Sequence, residues 1–234
     1  MVTGGPAAAT SETHRRTTMT MLDASSLAAQ LRQPHGDAAL VVADSMNRSN
    51  GALNRAAIGL LAVSAGERIL EIGPGNAAFA PALLHAADSQ YLGIELSPAM
   101  VEAGNQRLDA AGLSDRATMR LGDAHALPVS DASMDAALAV NTLYFWPNLA
   151  PVLDELARVL RRGGRLCLAF GDAAFMRNLP FAADFQLHEL DAVELALRVA
   201  GFRVSAWRSH RETASSNDGQ TRDKHFHLLL AQRR

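Results

Sequence analysis

Residues 69–77 read Ile-Leu-Glu-Ile-Gly-Pro-Gly-Asn-Ala. An apolar run, predicted as a strand, feeds a Gly-Pro-Gly turn, and Phe79, Leu83 and Leu84 mark the apolar side of a helix that follows. Glycine at 73 and 75 lets the backbone turn sharply and lets a ligand approach with no Cβ in the way. The turn aims helix N–H groups at the same point. Glu71 stands two residues before Gly73, at the strand's carboxyl end. A carboxylate there suits a ligand with a cationic amino group better than it suits a pyrophosphate.

Outward from this segment, strand and helix patterns alternate, the signature of a parallel sheet with crossover helices. Strands are predicted near 68–72, 90–95, 117–122, 134–140 and 164–170. Helices are predicted near 77–86, 98–111 and 149–161. Ser97-Pro98 reads as a cap with a first-turn proline, and Gly112 as a stop. Arg162-Gly163-Gly164 reads as a tight turn into the fifth strand. A last helix near 190–200 ends at Gly201. Residues 202–207 and 224–231 read as two strands, with 209–223 a polar loop between them.

Upstream of the turn, residues 22–31, 38–46 and 52–63 read as helices. Pro34 and Gly36 break the first pair, and the polar run Asn47 to Gly51 breaks the second. Residues 1–20 are rich in Thr, Ala, Gly and Ser with little periodicity, the pattern of a disordered tail. The expected division is therefore a tail over 1–20, a helical cap over 21–64 and an α/β domain over 65–234.

The chain has 234 residues, enough for one α/β domain with a full core. Its formal net charge of -2 argues against a broad nucleic-acid surface. No apolar stretch approaches the roughly 20 residues of a membrane span, and no apolar signal core opens the chain, so a cytoplasmic protein is expected. One cysteine, Cys167, rules out an intrachain disulfide and sits in an apolar run that reads as a buried strand.

Chemistry gathers at the strand ends. The second strand ends at Glu95, 20 residues after Gly75, where an acid can accept both hydroxyls of a ribose. The third leads to Gly122-Asp123-Ala124, in which Asp123 can accept from an exocyclic amine and Ala124 can offer its N–H to a ring. The fourth ends at Asn141, followed by Thr142-Leu-Tyr-Phe-Trp146. Each element alone is common; their order and spacing together are not.

That order resembles the class I S-adenosylmethionine (SAM) dependent methyltransferases, over about residues 45–232. It is closest to the small-molecule group that includes the ubiquinone and menaquinone methyltransferases. Ile94-Glu-Leu-Ser-Pro-Ala-Met100, Leu127-Pro128, Asp135 and Glu155-Leu-Ala-Arg-Val-Leu-Arg-Arg-Gly-Gly164 carry the likeness. The resemblance implies a Rossmann-like sheet of seven strands with the last antiparallel, flanked by helices. It implies SAM as cofactor and methyl transfer to a small, partly hydrophobic acceptor by in-line displacement. It places Glu71, Gly73 and Gly75 at the methionine end of SAM and Glu95 on the ribose. Leu96 and Met100 would lie against adenine, Asp123 and Ala124 on its edge, and the Asn141 carbonyl near the methionine part. One departure is Ala77, where many members have glycine.

A dinucleotide site is the rival, since Gly73-Pro-Gly-Asn-Ala-Ala78 also fits Gly-x-Gly-x-x-Ala. A short-chain dehydrogenase, however, wants a lysine four residues after a tyrosine, and Tyr91 and Tyr144 are followed there by Glu95 and Asn148. A non-catalytic SAM-binding protein is a second alternative, because methyl transfer demands no obligatory catalytic side chain. Tyr144 and His188 are the catalytic candidates, with Trp146 beside Tyr144 as a possible pocket wall. His225 and His227 share a strand face at metal-ligand spacing, but no carboxylate partner is evident, and no metal is expected. The apolar run Phe175, Met176, Leu179, Phe181, Phe185 suits a lid, a helix packed on the sheet or a dimer contact.

Overall fold

A computed structural model describes residues 23–85, 88–215 and 220–234; the expected tail lies outside them. Seven strands form one sheet: β1 (Arg68–Ile72), β2 (Gln90–Glu95), β3 (Ala117–Leu121), β4 (Met134–Val140), β5 (Leu160–Gly171), β6 (Phe202–Ser215) and β7 (Thr221–Arg233). Their order is β3-β2-β1-β4-β5-β7-β6. β7 runs antiparallel to both β5 and β6, and the other pairings are parallel. The expected topology is therefore present. The chain order reverses between β1 and β4, so the crevice for a ligand opens at the carboxyl ends of these two strands.

The helices are α1 (Ala24–Arg32), α2 (Ala39–Leu61), α3 (Ala80–Leu83), α4 (Pro98–Ala110), α5 (Leu149–Val159), α6 (Ala173–Met176) and α7 (Leu190–Val199). Successive side chains of a strand point to opposite faces, so each strand feeds two cores. Leu70 and Phe170 join Leu153 and Leu156 of α5 and Val193 and Leu197 of α7 on one face. Ile69, Leu138 and Cys167 join Leu53 of α2, Leu83 of α3 and Leu108 of α4 on the other. A third cluster joins Leu27 and Leu31 of α1 and Val42 of α2 to Met176, Leu179, Phe181 and Phe185. The apolar run after β5 thus packs on the N-terminal helices, above the sheet's carboxyl edge. Among the described residues no helix is long and apolar enough to cross a membrane.

Four expectations are corrected. Residues 39–61 form one helix, with no break at Asn47–Gly51. Tertiary bonds offset the poor helix propensity there: Asn47 Nδ2 donates to Asn76 Oδ1 at 3.0 Å, and buried Ser49 accepts from Lys224 Nζ at 2.8 Å. The helix expected over 77–86 shrinks to the single turn of α3, because Ala77 takes φ +54, the left-handed region, and the chain turns from Gly75 to Phe79. Arg162-Gly163-Gly164 is a bulge inside β5, marked by φ +77 at Gly163 and a register shift between Met134 and Ala136. Most of the expected loop 209–223 is strand, since β6 and β7 pair out to Ser215 and Thr221. Polar cross-strand pairs such as Thr213 Oγ1 to Asp223 Oδ1 at 2.6 Å carry that extension in place of an apolar alternation.

Candidate active site

A cleft of about 1120 Å³, open mouth included, lies at the carboxyl ends of β1, β2 and β4. Its floor is the turn after β1. Gly73 has φ +64 and Gly75 φ +58. A Cβ on Gly73 would stand 2.5 Å from Thr142 Cγ2, so glycine is required there by contact as well as by backbone angle. The turn is pinned from beneath: the Gly73 N–H donates to the Ile94 carbonyl at 2.9 Å, and Arg107 Nε donates to the Asn76 carbonyl at 3.1 Å.

Two carboxylates flank the turn, both buried. Glu95 Oε2 accepts the Gly75 N–H and Oε1 accepts the Ser97 N–H, each at 3.0 Å. Burial raises its pKa, against the pull of the Ser97, Gly75 and Leu96 amides. Glu71 Oε2 accepts from the Tyr91 hydroxyl at 2.7 Å. Burial pushes the Glu71 carboxyl up to about 7, with the Tyr91 bond opposing and the charge of Glu95 adding to the rise. A cationic group entering the cleft would find two partly compensated acids beside it.

Asp123 sits at the rim, its side chain 55% exposed, and binds His125 through Nδ1 at 2.7 Å and the backbone N–H at 2.9 Å. Partial burial opposes ionisation, but these bonds and the charges of His125 and Arg32 hold the carboxyl below its ordinary range. Ala124 and Leu96 complete that side, and the Leu96 carbonyl accepts from Gln33 Nε2 at 2.9 Å. Asn141, at φ +56, lines the cleft with Thr142. Asn141 Oδ1 and Thr142 Oγ1 are buried acceptors without a protein partner. The remaining wall is apolar: Met46, Phe79, Tyr144, Phe145 and Trp146. Tyr144 stacks on Phe185 at 4.7 Å between centroids, and burial lifts its hydroxyl pKa well above the usual phenol range.

Glu71, Gly73, Gly75, Glu95, Leu96, Asp123, Ala124, Asn141 and Tyr144 therefore meet in one cleft. Met100 and His188 do not. Met100 is fully buried against Ala39 and Ala43 of α2, because the Ser97 cap turns its helix so that this side chain faces α2. His188 Nε2 lies 3.1 Å from the Trp146 carbonyl, where it ties the segment after α6 to the loop after β4. Sequence reasoning missed Arg32, Asn54, Thr142 and Tyr91. Asn54 shares a helix face with Asn47 and Asn50, four residues after the second, a signal that the expected break at 47–51 concealed for Asn54.

The histidine pair also needs correction, since a carboxylate does face it. Asp172 Oδ2 lies 3.1 Å from His227 Nε2 and 3.6 Å from His225 Nδ1, while its Oδ1 caps α6 through the Phe175 N–H at 3.0 Å. Trp207 Nε1 donates to His227 Nδ1 at 3.3 Å. Among the described residues no group of three His, Cys, Asp or Glu side chains is arranged to hold a metal ion.

Residues 70–168 match the model of a family described as "Methyltransferase domain". The 27-O-demethylrifamycin SV methyltransferase of Amycolatopsis mediterranei is 41% identical over 110 residues, which are 47% of this chain and 40% of that protein. The demethylmenaquinone methyltransferase of Symbiobacterium thermophilum is 30% identical over 118 residues, 50% of this chain and 47% of its own length. The matches thus span less than half the length of these two relatives. In fold, the geranyl diphosphate C-methyltransferase of Streptomyces coelicolor superposes with a TM-score of 0.69 over 86% of each chain at 14% identity. The matched residues hold the turn after β1 and the strand ends that line the cleft, and over them the chain is similar to methyltransferase domains.

Proposed function

We propose that this chain transfers a methyl group from SAM to a small, partly hydrophobic acceptor by in-line displacement. The observation that carries the reading is the pair of buried acids, Glu71 and Glu95, on either side of a glycine turn that opens into an aromatic-walled cleft. The residues fit the cofactor. Glu71 would take its ammonium group, Glu95 its ribose hydroxyls, and Asp123 with the Ala124 N–H its adenine edge. Leu96 would lie against the ring. The orphaned Asn141 Oδ1 and Thr142 Oγ1 are two acceptors that a donor-bearing ligand would satisfy. Bound SAM supplies an electrophilic methyl on a sulfonium.

The chain's own part is alignment and exclusion of water. The wall of Phe79, Tyr144, Phe145 and Trp146 would seat the acceptor, and the α1 and 173–185 segments would close over it. Orientation alone can supply roughly 7–11 kcal/mol of barrier reduction. Tyr144 is held protonated by burial, so it is not set up as a general base. An acceptor that is nucleophilic without help fits this wall best. The named relatives, methyltransferases of 27-O-demethylrifamycin SV, demethylmenaquinone and geranyl diphosphate, support a small-molecule acceptor. A cytoplasmic location goes with this reading, as does the unpaired, buried Cys167.

Calorimetric titration with SAM, S-adenosylhomocysteine and NAD tests the cofactor. Saturable binding of the first two and none of NAD is expected; binding of NAD alone would overturn the reading. Mass spectrometry of an acceptor screen then separates catalysis from SAM binding without turnover.

A further inference from the structure

Tyr91 and Glu71 lie on neighbouring strands, and the register pairs Glu71 with Gly93, two residues after Tyr91. Tyr91 and Gly93 therefore face the same side of the sheet. The Tyr91 side chain reaches past Gly93 to place its hydroxyl on Glu71 Oε2 at 2.7 Å. The missing side chain makes the room. A Cβ on Gly93 would stand 3.0 Å from the Tyr91 hydroxyl, 3.0 Å from Pro74 Cγ, and would overlap the Met119 sulfur. Both partners are buried, Tyr91 at 3% and Glu71 at 4% exposure. The other contact of the hydroxyl is a 3.9 Å approach to Met119 Sδ, which offers only a weak acceptor. The strong partner of this buried phenol is thus an acid that lines the cleft.

We propose that Tyr91 is a positioning residue for cofactor capture: its hydroxyl engages Glu71 Oε2, fixes the plane of the carboxylate, and leaves Oε1 for the ammonium group of the ligand. The inference rests on the SAM reading above. A bond from a neutral hydroxyl to a carboxylate favours the charged form. Tyr91 therefore also keeps Glu71 ionised near neutral pH against burial and the charge of Glu95. The other titratable groups around the cleft are Arg32 of α1, Asp123 and His125 after β3, and Tyr144 after β4. Tyr91→Phe leaves all of them in place and removes one oxygen.

Two measurements test this on the full chain. In the first, carboxyl NMR follows Glu71 in the ligand-free protein. Tyr91→Phe is expected to raise its titration midpoint by about one pH unit; an unchanged midpoint overturns the proposal. In the second, S-adenosylhomocysteine binding is titrated calorimetrically between pH 6.5 and 8.5. The ratio of variant to wild-type Kd is expected to be roughly tenfold at pH 6.5 and to shrink at least about threefold by pH 8.5. A ratio that is constant with pH would mean general damage to the site, and a ratio near one throughout would mean no role; either overturns the proposal. Failure of the wild type to bind S-adenosylhomocysteine would sink the SAM reading instead, and the ligand-free midpoint would still decide whether Tyr91 governs Glu71.

Discussion

Glu71→Gln should gain stability relative to the ligand-free wild type as pH rises, while abolishing affinity for the cofactor. Burial lifts the Glu71 carboxyl from an ordinary 4.5 to about 7. Between those values the unfolded chain has released a proton that the folded chain retains. Stability therefore falls as pH rises through the window and levels off above about 7. At 1.36 kcal/mol per pH unit, the cost of ionising Glu71 in the fold reaches about 3 kcal/mol. Glutamine keeps the length and an acceptor for Tyr91 but cannot ionise. Its amide adds a donor that needs a partner, a penalty of roughly 1–3 kcal/mol that does not vary with pH. The secure quantity is thus the stability gap between variant and wild type. That gap should widen in favour of the variant by about 3 kcal/mol from pH 4.5 to pH 8, or roughly 6–12 °C in Tm for a chain of this size. Relief of the repulsion on Glu95 acts in the same direction. Urea unfolding across the pH range, at constant ionic strength and without ligand, measures it. Parallel curves for the two proteins would refute the reasoning, because they would mean that Glu71 ionises in the fold as freely as in the unfolded chain.

Gly73→Ala should cost about 2 kcal/mol or more in urea unfolding, since the new methyl meets Thr142 Cγ2 at φ +64. The double variant Gly73→Ala, Thr142→Ser removes that methyl contact, and recovery of part of the loss in a double-mutant cycle checks the contact itself. Ala77→Gly should change stability by less than about 1 kcal/mol: relief of the left-handed strain at φ +54 opposes added chain entropy and a lost buried methyl. Equilibrium denaturation decides it, and a large gain would mean that Ala77 is under real strain. Asp172→Ala removes the cap of α6 and the partner of His227. Amide exchange over 173–185 should accelerate about tenfold, with acceptor KM rising while S-adenosylhomocysteine affinity holds.

Where sequence and structure agree, the information was local. The strand ends at Ile72, Glu95 and Val140 follow apolar runs closed by turn residues, and the carboxylates that matter sit at those ends. Where they disagree, the deciding contact came from far along the chain. The polar run at Asn47–Gly51 has every local mark of a break, yet Asn76 and Lys224 satisfy it within one helix. Met100 carries the family pattern for an adenine contact, but its helix phase turns it onto Ala39 and Ala43. The carboxylate that His225 and His227 seemed to lack is Asp172, more than 50 residues earlier and adjacent only through the β5–β7 pairing. Tyr91 was visible as a strand residue, but its bond to Glu71 depends on the register of β1 against β2 and on an absent side chain at Gly93.

The same geometry links stability to occupancy. Glu71 and Glu95 are both buried, and burial opposes ionisation of either in the ligand-free fold. A cationic ligand that favours the ionised pair would recover part of that cost on binding. Ligand-induced stabilisation follows RT ln(1 + [L]/Kd), so its pH dependence reports the protonation state that binds. At a fixed concentration of S-adenosylhomocysteine the wild-type Tm increment should grow between pH 6 and 8, because the ionised fraction of Glu71 grows there. With Glu71→Gln the increment should be small and flat. A wild-type increment that shrinks over the same range would mean that the ligand prefers a protonated Glu71. It would then be an acceptor that Glu71 contacts as a neutral donor, and the ammonium assignment would fall. On the proposed reading, the ammonium contact would offset part of the cost of ionising Glu71 in the empty fold.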